Sequence, residues 1–246
     1  MSKSSDRPPE SGPAKVADKA PVAKPHYVGH RERLRQRILE RGANALGDYE
    51  VIEFLLFGAR PRGDVKPLAK ELMKRYGSLS AVLSAPADKL AQVPGMGESS
   101  VAVLKIVQEA ARRLALEDAR EATIISSWDK LISYCRIVMS HEKVEQFRLL
   151  FLDKKNQLIA DELQQTGTVD HTPVYIREVV KRALDLGATA LILVHNHPSG
   201  DPTPSPADVE MTQDIKNAAE KLGIVIHDHV IIAKSGHASF RTLGLL

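Results

Sequence analysis

Residues 190–213 read ALILVHNHPSGDPTPSPADVEMTQ, and this stretch decides what the second half of the chain is. Its opening apolar run, Ala190 to Val194, has the length and composition of a buried strand and stops at two histidines, His195 and His197. Successive side chains on a strand alternate faces, so the two imidazoles share a face and Asn196 points the other way. The loop PSGDPTP follows, its three prolines limiting its freedom. Ser205 then reads as a helix N-cap with Pro206 at the first helical position, which puts Asp208 in the first turn. The loop is long enough to fold that helix start back over the strand tip. Two imidazoles and a carboxylate returned to one place are what a metal ion needs; on a tetrahedral zinc they leave one position for water, the arrangement of a catalytic site. Two plainer readings compete. Asp208 can simply complement the helix dipole as the third residue after its cap, and a His-x-His pair on a strand can be structural. The coincidence of all these elements within one short segment favours the metal.

Around this segment, strands and helices interleave. WDKLISYCRIVMSHEKV reads as a helix, EQFRLLFLDKKNQLIADELQQTG as a β-hairpin turning at Lys155-Asn156, and VYIREVVKRALDLG as a helix ended by Gly187. SPADVEMTQDIKNAAEKLG continues as a helix, and IVIHDHVIIAKSG as a strand with period-two alternation. The pattern indicates an α/β or α+β domain with a central sheet over residues 124–246. A hydrolytic metal site also needs a carboxylate to handle protons. Glu145, at the start of the first strand, is the candidate and Glu142 its rival; either reads equally as a solvated surface charge. His227 and His229 flank Asp228 and share a strand face. They read either as support for an imidazole at the metal or as a satisfied polar cluster at a strand end.

The first half differs in kind. Residues 1–27 are rich in Pro, Ser, Ala and Lys and read as a disordered tail. Residues 28–118 read as a small all-helical domain, with HRERLRQRILERG stopped by Gly42 and DYEVIEFLLFGA capped by Asp48. VKPLAKELMKRYG, LSAVLSA and KLAQVPGMGESSVAVLKIVQEAARRLALEDA follow, and a connector over about 119–127 joins the halves. Within the last of these, VPGMGESS resembles a helix-hairpin-helix turn. Gly95 and Gly97 permit the tight bend, and the free amides of the next helix offer a seat for a DNA phosphate. A plain interhelical turn, or a protein-protein module, explains the same residues. Arg31, Arg33, Arg35, Arg37 and Arg41 add a basic helix that suits nucleic acid or simply faces solvent.

Composition sets bounds on these readings. With 246 residues, 43% of them apolar, the chain can bury a real core and by size makes one large or two small domains. No apolar run approaches the roughly 18–20 residues of a membrane span, and the first residues lack the apolar segment of a secretion signal, so a soluble cytoplasmic protein is expected. The single cysteine, Cys135, excludes intrachain disulfides and a multi-thiolate zinc site, which leaves nitrogen and oxygen ligands for any metal. Charge is uneven. Up to residue 120 there are 21 Lys/Arg against 15 Asp/Glu, or +6; beyond it 13 against 16, or −3. A basic front half suits a polyanion, although aromatics at 4% give little support for base stacking on single strands.

HNHPSGDPTPSPAD fits His-x-His, seven residues, Ser, two residues, Asp, and so resembles the JAMM signature of zinc-dependent MPN-type isopeptidases. With VPGMGESSVAVLK upstream and IHDHVII downstream, residues 28–246 resemble the bacterial RadC family. The resemblance implies a JAMM/MPN, cytidine-deaminase-like fold behind a helix-hairpin-helix region. It implies Zn2+ on His195, His197 and Asp208 with a water in the fourth position, and Glu145, matching the family's Glu-x-Phe strand start, as general acid/base. Ser205 would hydrogen-bond the oxyanion, a role its hydroxyl can combine with capping. The activity implied is hydrolysis of an amide or isopeptide bond in a protein or peptide substrate, with phosphodiester hydrolysis as the chemical alternative. The other class of function is a DNA-binding accessory protein of repair or recombination whose metal is not catalytic.

Overall fold

The computed structural model describes residues 29–121, 128–167 and 174–246. The expected tail and most of the expected connector lie outside these residues. Helix α1 (His30–Arg41) ends at Gly42, as its sequence predicts. In α2 (Asp48–Ala59) the cap is Gly47 rather than Asp48: the extended backbone at Gly47 begins the helix, and the Glu50 carboxylate returns to accept from its N–H at 3.0 Å. Helices α3 (Lys66–Tyr76), α4 (Leu79–Ser84) and α5 (Ala87–Ala91) wrap with α2 around the first part of α6 (Glu98–Glu121). Ile52, Leu56, Leu72, Leu90 and Leu104 are fully buried between them. Apolar residues three and four apart on each helix supply this core, so packing rather than propensity holds such short helices.

Beyond α7 (Trp128–Met139) lies a mixed five-stranded sheet. Its strands are β1 (Glu145–Leu152), β2 (Leu158–Gly167), β3 (Ala190–Asn196), β4 (Val225–Ala233) and β5 (Gly236–Ser239), in the order β2-β1-β3-β4-β5. Only β3 and β4 run parallel. The hairpin turns where expected: the Asp153 carboxylate accepts from the amides of Lys155 and Gln157, and Asn156 takes the left-handed conformation at φ 59°. Helix α7 stops at Met139, short of the SHEKV that the sequence pattern includes in it, and β5 is an additional strand. Helices α8 (Ile176–Asp185) and α9 (Pro206–Glu220) cover the face carrying Phe147, Leu149, Phe151, Leu191 and Leu193. The other face, with Leu150, Leu152, Ile192, Val194 and Ile232, packs against α7 and the end of α6. Because both faces are covered, β4 is buried from Asp228 to its end, and its two sides face two cores rather than core and solvent. Helix α6 runs past the expected limit at 118 and belongs to both cores, with Val101 and Leu104 in the first and Ala119 in the second. Among the described residues no helix is long and apolar enough to cross a membrane.

Candidate metal centre

The strand register places the site. In the antiparallel β1–β3 pair Phe147 lies opposite His195, so one step of the pleat further Glu145 comes opposite His197. Both pairs project from the face that α9 covers. Ser205 caps α9, its hydroxyl accepting from the Asp208 N–H at 3.2 Å, and this swings the Asp208 carboxylate over the strand tip. Ligating atoms of Glu145, His195, His197 and Asp208 all fall within 4.8 Å of one another, whereas Glu142 is not among them. His195 and Asp208 are buried, and Glu145 and His197 half-buried on the open side.

Hydrogen bonds fix which ring nitrogens face inward. A carbonyl can only accept, so the Thr212 hydroxyl, 2.5 Å from the Asp208 carbonyl oxygen, donates to it. That hydroxyl therefore accepts from His229 Nδ1 at 2.6 Å, leaving His229 Nε2 to accept from His195 Nδ1 at 2.7 Å. His197 Nδ1 donates to the Asp201 carbonyl at 2.7 Å in the same way. In its neutral form each imidazole thus turns an Nε2 lone pair toward Asp208. The Nε2 atoms are 2.9 Å apart, and they lie 3.3 Å and 3.6 Å from the nearer Asp208 oxygens. A tetrahedral ion with bonds of about 2.0–2.1 Å spaces its ligand atoms roughly 3.3 Å apart, so this donor set fits one. Three electron-rich atoms turned on one point attract positive charge. His197 is held above the ordinary imidazole range, chiefly by the facing Asp208 carboxylate. Burial acts to raise Asp208, but the two imidazoles outweigh it and hold the carboxyl well below its usual range.

Three of the residues that shape this centre lie outside the motif's ligand positions. Asn196, on the opposite face from the two histidines, accepts from the Gln146 N–H at 2.8 Å and donates to the Val144 carbonyl at 3.2 Å. It clasps the backbone on either side of Glu145. Thr212 sits one turn beyond Asp208 on α9, a spacing that could have flagged it. His229 is fully buried, stacked on Phe240 and edge-on to Phe147, and burial keeps its imidazole neutral.

The downstream His-Asp-His does not act as one cluster. A register shift at this point of the β3–β4 pair sends its members to different partners. His227 meets Asn156 in the hairpin turn at 2.6 Å, while Asp228 accepts from Ser239 Oγ and the amides of His229 and Arg241. Only His229 reaches the centre. Ser205 donates its hydroxyl proton to Asp208 Oδ2 at 2.7 Å, and its own amide donates to the same oxygen at 2.8 Å.

In the helical half, Gly95 has φ 88° and makes the turn between α5 and α6, with its carbonyl accepting from Arg60 at 2.9 Å. Gly97 begins α6, whose first turn carries Glu98, a negative charge where a phosphate would approach. On α1, Arg31 donates to the carbonyls of Phe57, Arg60 and Gly63 and stacks on Phe57, Arg35 pairs with Glu32, and Arg37 with Glu50. Three of the five arginines are thus engaged within the chain.

The sheet and its flanking helices have the α/β arrangement of a JAB/MPN domain, and family comparison agrees. The family model described as the RadC-like JAB domain matches residues 125–245, taking in all five strands and the four clustered side chains. A second, described as UPF0758 N-terminal, matches residues 26–102, where the helical core lies. Matched in both halves, and in the order the two regions occupy, the chain belongs to the RadC family.

Proposed function

We propose that the chain is a zinc-dependent hydrolase of the JAMM type, cleaving an amide or isopeptide bond in a protein or peptide substrate. One observation carries this reading: two imidazoles whose outer nitrogens are already committed meet two carboxylates at a single point. Three of these side chains suffice as ligands, and the fourth is left for proton transfer.

His195, His197 and Asp208 hold the ion, each oriented by a partner behind it. Bound zinc supplies Lewis acidity that brings the pKa of a water to about 7. Glu145, on the open side and fixed by Asn196, accepts the proton of the attacking water and delivers it to the leaving amine. Ser205 donates to the substrate carbonyl oxygen as it gains negative charge. To do so its hydroxyl turns away from Asp208, whose Oδ2 keeps the Ser205 amide as a donor.

The test combines metal analysis with turnover. The wild-type chain should bind one zinc, and Glu145→Ala should retain it while hydrolysis falls by roughly 10²- to 10⁴-fold. That variant, immobilised, should hold its target uncleaved, and the wild-type chain should then cleave the captured protein. Full hydrolysis by Glu145→Ala, or a wild-type chain that takes up no zinc, would refute the reading.

A further inference from the structure

The two cores meet along a cleft that the chemistry above does not use. Tyr76, Ser78 and Ser80 line it from the helical side, Arg136 from α7, His141 from the segment after α7 and Lys234 from the β4–β5 turn; its volume is about 450 Å³. Among the described residues no carboxylate lines it. Among the described residues neither Arg136 nor Lys234 makes an ion pair, and both side chains are exposed. His141 Nε2 reaches across to Ser80 Oγ at 2.9 Å, so the junction is spanned by a polar contact rather than an apolar seal. Burial, together with the nearby Lys234 charge, holds His141 below its ordinary value. The Tyr76 hydroxyl is buried with no hydrogen-bond partner among the described residues, and buried hydroxyls are seldom left so.

These features specify a ligand. Two unpaired cations and the Ser78 hydroxyl, which accepts from the Ala81 N–H and keeps its own proton to donate, match the several acceptor oxygens of a phosphate group; Ser140 already donates to the Arg136 carbonyl and Ser80 is engaged by His141. The space exceeds what a lone phosphate needs and falls in the range of about 300–1,000 Å³ typical of small-molecule sites. Tyr76 and Ile137 offer an apolar surface for the rest of the molecule. We propose that this junction is a binding site for a phosphate ester of nucleotide size, its phosphate held by Arg136 and Lys234 and its body resting against Tyr76 and Ile137. A small ligand is favoured over a nucleic acid strand, because the cations are gathered in a cleft between two units while the arginines of α1 are largely engaged elsewhere.

Calorimetric titration of the full chain with ADP tests the site. One ADP per chain is expected, displaced by inorganic pyrophosphate. Lys234→Ala and Arg136→Ala should each weaken ADP by about tenfold or more, whereas Lys234→Arg, which keeps the charge, should retain it. Circular dichroism identifies any variant that fails to fold, and Lys181→Ala, on the outer face of α8, serves as a control that should bind as wild type. No ADP binding at millimolar concentration overturns the proposal. So does binding that is indifferent to Lys234→Ala, or binding of a short DNA duplex with none of ADP.

Discussion

Two connections in this chain carry glycines and prolines at a strand or helix end: the loop from His195 to Asp208 and the turn from Val93 to Gly97. They use their polar groups differently. In the first, side chains from β1, β3, β4 and α9 turn inward, so residues far apart in sequence converge on one point. In the second, the polar groups of the turn are already taken: Arg60, from the end of α2, occupies the Gly95 carbonyl, and Glu98 places negative charge at the start of α6. A short motif becomes a candidate metal centre when distant elements complete it and leave lone pairs unspent. A turn whose groups are already paired has less to offer a ligand.

The contrast can be broken experimentally, and the largest effect is expected at a ligand. His197→Ala should lose stoichiometric zinc on dialysis, as read by atomic absorption; full retention would remove the convergence on which the contrast rests. Thr212→Val keeps the side-chain shape but leaves His229 Nδ1 without its acceptor. It should weaken zinc by about 10- to 100-fold in a competition titration with a chelator, with little loss of helix content. Equal affinity would mean that the chain from Thr212 through His229 orients nothing. Gly95→Ala sharpens the other side. The new Cβ has ordinary room, 3.4 Å from Arg60 Nη1, but the left-handed backbone costs about 1–2 kcal/mol. Chemical denaturation should register that loss while zinc content stays unchanged. The smallest effect is expected at Cys135, which is buried in the sheet core with its thiol pushed up to about 12 by burial. With no thiolate at pH 8, the folded chain should resist alkylation for as long as it resists unfolding; rapid modification would show the second core to be looser than the first.

The sequence made some of this visible and hid the rest for physical reasons. The pleat puts His195 and His197 on one face, and Ser205-Pro206 starts a helix; both follow from local geometry, so both were legible. Glu145 could be named but not separated from Glu142 by local pattern, because the choice depends on the register of β1 against β3, a non-local pairing. His229 was ambiguous for the same reason, since a register shift decides that His227 serves the hairpin turn while His229 serves the centre. By the pleat alone Asn196 is simply the residue facing away. Its role needed Gln146 and Val144, about fifty residues upstream, to be alongside. Asp48 lost the cap position to Gly47 because Glu50 reaches back to the glycine amide, a competition between neighbours that composition does not rank. Strand β5 has only four residues and exists by pairing with β4, and so left no periodic trace.

Helix α6 has a practical consequence for dissecting the protein. Its 24 residues extend about 36 Å, entering beside Leu104 and leaving with Ala115, Leu116 and Ala119 against α7. A fragment begun at residue 124 would therefore expose apolar surface that the intact chain keeps dry, and a fragment stopped at 102 would lose most of the helix that closes its own interior. Truncation at either point should yield material that aggregates, so separate study of the halves calls for boundaries that leave this shared rod in both.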